Sequence, residues 1–384
     1  MTAIFNHFEL RLVNPDFDSK LNEIILELEP IRSMRLGGST HPAIFFELKR
    51  VFHLLESLGS ARIEGNNTTI ADYVEAKLDN TIAENEKLME IDNVGLAMNF
   101  IEENIDENTP ITRAMLFEIH KITVNNLTPA PKGEGDITPG EFRARNVKIN
   151  KSNHLPPEFI QVAGYVDELL EFINRKDRSI YDLLKTAIAH HRFTWIHPFN
   201  NGNGRVVRLL TYAQLIKSGF KVKEGRLLNP TAVFCADRDE YYRMLSIADS
   251  GSDEGILEWC EYVLSGLLEE LKKIDLLTNH EYLAKNLLIP AIDYCLERTS
   301  ITATEGKILK RSVELIEIQA GDIKELIKGK TPEARTRQLA KMKSNNLIKA
   351  IRPKARKYVI SFSNNYLLRG IIHALRKQGL IAVD

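Results

Sequence analysis

Cysteine is scarce in this chain, with 3 among 384 residues. Cys235, Cys260 and Cys295 lie far apart and none belongs to a CxxC pair, which argues against a disulfide framework or a cysteine-built zinc site. They read as small buried hydrophobes in a reducing cytoplasm. Long apolar runs are missing as well. No stretch reaches the roughly 18 residues a membrane span requires, so no membrane association is expected. The N-terminus, Met1-Thr-Ala-Ile-Phe-Asn-His-Phe8, shows neither a basic lead nor a sustained apolar core, so it does not read as a secretory signal. Net charge is nearly absent too, at −1.

That balance conceals a split. Residues 301–384 carry 18 Lys and Arg against 7 Asp and Glu, while the rest carries 33 against 45. A basic end on an acidic body suggests two functions in one chain, with the basic end a candidate for nucleic-acid contact. Hydrophobic content of 43% and charged content of 27% are ordinary for a globular protein of two or three domains.

Most of the sequence has helical period. Apolar residues recur at three and four over 43–58, and again near 86–104, 112–127, 158–174, 181–196, 204–218 and 256–277. Residues 128–156 break the pattern with Pro129, Pro131, Gly133, Gly135, Pro139, Gly140 and Pro156, and read as loop. Inside it, Phe142–Ile149 alternates enough to suggest a small hairpin. From Thr302 the style changes. Thr302 and Glu305 have capping-box spacing and open a helix to about Ile316. A short helix is expected around Asp322–Ile327. Thr331 then caps a third helix with Pro332 at its first position, ending at Asn345-Asn346. Leu347–Ile351 and Arg356–Ser361 read as two strands, so the whole looks like a winged helix-turn-helix.

The chemistry concentrates in His197-Pro-Phe-Asn-Asn-Gly-Asn-Gly-Arg-Val-Val-Arg208. A helix ends at Ile196, a glycine-rich turn follows, and a new helix starts near Gly204. Backbone N–H groups of such a turn, backed by the helix dipole, form an anion hole. Gly202 and Gly204 let a phosphate approach the backbone. Arg205 and Arg208 lie three apart on one helical face and clamp further oxygens. His197 precedes them, where an imidazole takes a proton from an attacking hydroxyl. Base, phosphate nest and two guanidiniums together describe phosphoryl-type transfer.

The string resembles the Fic family signature HPFx(D/E)GNGRxxR and matches eight of its nine constrained positions. The likeness extends over roughly 45–265, through Glu90-Ile-Asp-Asn93, His120, Pro139-Gly-Glu-Phe-Arg143 with Val147-Lys-Ile149, and Ala187–Phe193. It implies a mainly α fold: a Fic-type helical bundle with a small β-hairpin flap, followed by the winged helix-turn-helix. The expected domains are 1–100, an N-terminal helical region, then 101–280, the Fic core, and 281–384. The implied activity is protein adenylylation, with His197 as general base and a Ser, Thr or Tyr hydroxyl of a target protein attacking the α-phosphate of ATP. Phe199 would anchor the loop. Gly202, Asn203 and Gly204 would hold the α- and β-phosphates, Arg205 the β side and Arg208 the γ-phosphate. Val147, Lys148 and Ile149 would form a flap that binds the target by strand addition.

The ninth position is Asn201, where active members carry an acid that ligates Mg²⁺. An amide oxygen brings no charge, so Mg²⁺ is expected to bind weakly. Ser60-Ala-Arg-Ile-Glu64-Gly65 matches the inhibitory pattern (S/T)xxxE(G/N), in which the glutamate reaches the second motif arginine, here Arg208. In some relatives the same glutamate aligns water to remove AMP, so the reverse reaction stays open. His190, His191 and Trp195 are expected to pack the motif helix.

In 330–357 there are ten Lys and Arg and one acid, Glu333. Arg335, Arg337, Gln338 and Lys341 on the third helix suit groove or phosphate contact, and Arg352, Lys354, Arg356 and Lys357 lie on the wing. With Tyr358 the one aromatic among them, duplex DNA is favoured over single strands. Two function classes therefore compete: an autoinhibited adenylyltransferase, and a DNA-bound regulator that senses nucleotide without turnover. The target, the DNA site and the oligomeric state, a homodimer included, stay open.

Overall fold

The computed structural model describes residues 4–33, 38–79, 81–149, 152–222 and 228–381. Over these the chain is mainly helical, with one two-stranded antiparallel ladder. It divides into two units. The first holds Met1–Arg35, His53–Thr68 and Asn80–Leu271, and the second holds Leu36–Phe52, Thr69–Asp79 and Lys272–Asp384.

Two helices form the centre of the first unit, Asp182–Ile196 and Asn203–Lys217. Nearly all their side chains are buried, so other elements must surround them on every side. Glu86–Asn104, Arg113–Thr123, Val162–Asn174 and Asp253–Asp275 supply the surrounding apolar faces. Trp259 reaches into this centre, its Nε1 donating to the Ala187 carbonyl at 2.7 Å. His190, His191 and Trp195 are buried there as packing side chains. These helices fall where the apolar period places them, whereas Lys20–Ser33, Ile70–Asp79 and Arg238–Ala248 lie outside the expected set. No described helix is long and apolar enough to cross a membrane.

The alternation in Phe142–Ile149 does not yield the expected hairpin, since 142–149 has no strand among the described residues. A strand needs a partner ladder, and here the Arg143 N–H is instead committed to the Pro198 carbonyl at 2.9 Å.

In the second unit the capping box forms: Glu305 N–H donates to Thr302 Oγ1 at 3.2 Å, and Thr302 N–H to Glu305 Oε2 at 2.8 Å. They open the helix Ala303–Leu315, and Thr331 caps Pro332–Ser344. Strands Ile348–Ala350 and Tyr358–Ile360 pair antiparallel with Ile348 opposite Ile360. Ile318 bridges Tyr358 through two backbone bonds of 2.8 Å. The short helix expected around Asp322–Ile327 is absent. Its residues form turns, with Lys324 N–H on Gly321 O and Leu326 N–H on Ile323 O, both 3.2 Å. Seven residues between Gly321 and Gly329 are too few to repay helix nucleation. A further helix, Asn365–Lys377, follows the hairpin.

Candidate active site

His197 ends the helix Asp182–Ile196 with φ 51° and ψ 62°, a left-handed conformation that costs a non-glycine residue about 1 kcal/mol. Arg143 supports it. Its buried guanidinium donates from Nε to His197 O at 2.9 Å, and from Nη2 to Pro157 O at 2.6 Å and Ile196 O at 3.4 Å. Nη1 donates to Arg145 O at 3.0 Å. Carbonyls at a helix C-terminus are natural partners for a cation. Burial lowers the Arg143 pKa to about 10, which still leaves it charged at neutral pH. Burial, with the nearby Arg143 charge adding to it, pushes His197 down to about 4. At pH 7 the imidazole is therefore neutral and its lone pair can accept a proton.

The turn after His197 is held from inside. Asn203 Oδ1 accepts from Phe199 N–H and Nδ2 donates to Phe199 O, each at 2.9 Å. Phe199 is fully buried and stacks on His120, with ring centroids 3.8 Å apart and planes 10° from parallel. Gly140 N–H donates to His120 Nδ1 at 2.9 Å, leaving the Nε2 proton for Asn201 O at 3.1 Å. Asp136 accepts from Asn201 N–H at 3.0 Å, Thr138 N–H at 2.9 Å and Asn200 Nδ2 at 3.2 Å. Burial opposes its charge, but the His120 side chain and these amides prevail and hold the carboxyl well below its usual range.

Gly202, at φ 79°, starts the helix Asn203–Lys217. The N–H groups of Asn203, Gly204 and Arg205 have no backbone acceptor among the described residues, which makes the nest a ready anion site. Glu64 sits on it. A Cβ at Gly204 would collide with Glu64 Oε1 and lie 2.9 Å from its Cδ, so only glycine admits the carboxylate there. The same Oε1 accepts from Arg208 Nη2 at 2.7 Å. Arg208 is otherwise tied to Ser60, donating from Nε to Oγ and from Nη2 to the carbonyl, both at 2.9 Å. Burial raises the Glu64 pKa, but the Arg208 charge and hydrogen bond outweigh it, so Glu64 stays ionised below the ordinary carboxylate range.

Arg205 is fully buried. Nη2 donates to Glu134 O at 2.6 Å and lies 3.4 Å from Glu134 Oε2, and Nη1 lies 3.1 Å from Glu90 Oε1. Arg205 Nε and Nη1 still lack hydrogen-bond acceptors, which leaves two donors for an anion.

The donor set does not fit a protein-held Mg²⁺. Asn201 Oδ1 already accepts from Gly202 N–H at 2.8 Å and its Nδ2 donates to Gly135 O at 3.2 Å. The nearby carboxylate, Asp136, is buried and has hydrogen bonds on both oxygens. Mg²⁺ sites are normally built on one or two free carboxylates, and no cluster of three His, Cys, Asp or Glu occurs among the described residues.

His197, Gly202, Asn203, Gly204, Arg205, Arg208 and Glu64 thus meet around one helix N-terminus. The Asn203 amide braces the turn, and its backbone N–H stays without a backbone acceptor among the described residues. Val147, Lys148 and Ile149 follow Arg143 as partly exposed backbone without a ladder. Arg335, Arg337, Gln338 and Lys341 belong to the second unit, with Arg337 and Lys341 exposed and the other two half-buried. Sequence reasoning assigned no role to Arg143, Asp136 or Glu90.

The Fic/DOC family profile matches residues 110–215, which carry the His197 turn and both motif arginines. Residues 110–215 are a Fic domain. The chain is similar to "Protein adenylyltransferase Fic" of Drosophila grimshawi, 28% identical over 204 residues, 52% of this chain and 38% of that protein. The Drosophila melanogaster protein of the same name is 28% identical over 206 residues, 52% of this chain and 37% of its own. The match therefore spans less than half the length of these relatives. Among solved structures, a Fic family protein from Desulfovibrio desulfuricans shares the fold at a TM-score of 0.56 and 18% identity, over 92% of this chain and 98% of that one. C. elegans Fic-1 aligns at 0.52 and 19% identity, over 66% and 71%.

Proposed function

We propose that this chain transfers AMP from ATP to a Ser, Thr or Tyr hydroxyl of a target protein, and that Glu64 keeps it inhibited. The observation that carries this is the seat of the Glu64 carboxylate, on Gly204 and 2.7 Å from Arg208 Nη2. A carboxylate held at a helix N-terminus by a motif arginine marks where a phosphate would bind. The names of the Drosophila relatives support the general class of activity.

In the transfer, neutral His197 takes the proton of the target hydroxyl. The oxygen attacks the α-phosphorus, the bond from that phosphorus to the oxygen bridging the β-phosphate breaks, and pyrophosphate leaves. The N–H groups of 203–205 and the spare donors of Arg205 hold the phosphates, and Arg208 joins them once Glu64 moves away. Val147–Ile149, which lies outside any strand ladder, offers backbone to a target strand. Intact-mass measurement of Glu64→Gly after incubation with ATP tests this: an added AMP, absent in Glu64→Gly/His197→Ala, is expected, and equal labelling of both would refute the base.

A second function is read from the second unit, where the helix–hairpin–helix order supports a winged helix that holds duplex DNA. Lys349 and Lys357 are spent on Glu47 at 2.8 Å and Glu317 at 2.9 Å. Arg337, Lys341, Arg352, Lys354 and Arg356 are exposed and have no acidic partner among the described residues. Such cations release DNA counterions, so Arg335→Ala/Arg337→Ala should lower the salt slope of binding by about 1.8. Wild-type chain showing no salt-dependent anisotropy with duplex DNA would end this reading.

A further inference from the structure

Glu90 and Asn66 lie beside the motif without belonging to it. Asn66, two residues after Glu64, is buried, and its Nδ2 donates to Glu90 Oε2 and to Lys87 O, both at 2.8 Å. Its Oδ1 accepts from Thr68 N–H at 3.0 Å, which closes the turn. Between the two residues stands Gly65, exposed and at φ +104°. The other oxygen of Glu90 faces Arg205 Nη1 at 3.1 Å. That contact is an ion pair without an aligned hydrogen bond, for both atoms are buried and unsatisfied. Arg205 is thus held on this side by charge, with Nη2 bonded to Glu134 O and Nε and Nη1 in reserve.

We propose that Glu90 is a positioning residue that joins Arg205, through Asn66, to the segment carrying Glu64. The inhibitory segment is then fastened to both motif arginines, by Glu64 on Arg208 directly and by Asn66 through Glu90 on Arg205. A phosphate entering at Arg205 competes with Glu90 for the guanidinium, loosens the Asn66 tie, and lets the chain turn at Gly65 so that Glu64 leaves Arg208. The two arginines and the inhibitory segment respond to nucleotide as one unit. This rests on the proposed reading that nucleotide phosphates bind these arginines and that Glu64 withholds them.

The test is a double-mutant cycle on the full chain, read as the dissociation constant of a fluorescent ATP analogue with melting temperature alongside. Asn66→Ala touches neither arginine, yet it should tighten binding roughly threefold to tenfold, the scale of one ordinary hydrogen bond. Asn66→Asp, which sets a like charge against Glu90, should tighten it further. Neither should add anything in a Glu64→Gly background, where the segment no longer inhibits. A lower melting temperature with unchanged affinity, or an equal gain in both backgrounds, overturns the proposal and leaves the inhibitory reading of Glu64 intact. Unchanged affinity in Glu64→Gly itself overturns that reading and the proposal with it.

Discussion

Glu64 and Arg208, 144 residues apart in sequence, meet through a 2.7 Å bond from Nη2 to Oε1. The pair does two things at once. It occupies a guanidinium of the motif helix, and it places a carboxylate on that helix's N-terminus, a position suited to an anion. Charge-assisted bonds of this kind contribute about 1.5–3 kcal/mol, enough to set a transferase idle by one or two orders of magnitude.

The first prediction concerns pH. With His197 lowered to about 4, its proton is absent throughout the neutral range. Transfer should therefore stay level down to pH 5 and fall only as pH drops through about 4. Removing the Glu64 charge, which raises the His197 pKa, moves that limb lower still. A rate–pH profile breaking near 6.5, the ordinary imidazole value, would contradict the burial of this base.

Arg143 is next. Arg143→Lys keeps the charge but cannot cap four carbonyls at once, so His197 should lose its left-handed seat. Transfer should drop at least tenfold with a fall in melting temperature of several degrees. Full activity with an unaltered melting curve would show that the turn holds itself.

Much of this was readable beforehand, and the exceptions have physical reasons. The motif helices carry strong apolar periods, and the Thr302 and Glu305 cap is a local pattern that formed as written. Arg143 looked like one more cation in a loop, because its worth comes from carbonyls brought together by the fold. Asp136 and Glu90 are silent for the same reason: an acid in sequence shows nothing of its burial. Phe142–Ile149 alternates like a strand, but alternation cannot supply the partner a ladder needs. Asp322–Ile327 has helical composition without the length.

The metal is the third prediction. Asn201→Asp would put a second carboxylate beside Asp136 and remove the Nδ2 donor that now binds Gly135 O at 3.2 Å. In a Glu64→Gly background, added Mg²⁺ should then strengthen nucleotide binding more than it does with Asn201 present, most clearly at low Mg²⁺. Calorimetric titrations of nucleotide with and without Mg²⁺ measure the difference. An identical Mg²⁺ effect in both proteins would place residue 201 away from any cation.

The central claim is that a competent AMP transferase lies beneath the Glu64 seat. It is met most directly by comparing label transfer from α-labelled and γ-labelled ATP, in wild-type chain and in Glu64→Gly. The expected result is label from the α position only, faster in Glu64→Gly by tenfold or more and undetectable in Glu64→Gly/His197→Ala. Label arriving from the γ position, or no transfer in Glu64→Gly although ATP binds, would contradict it.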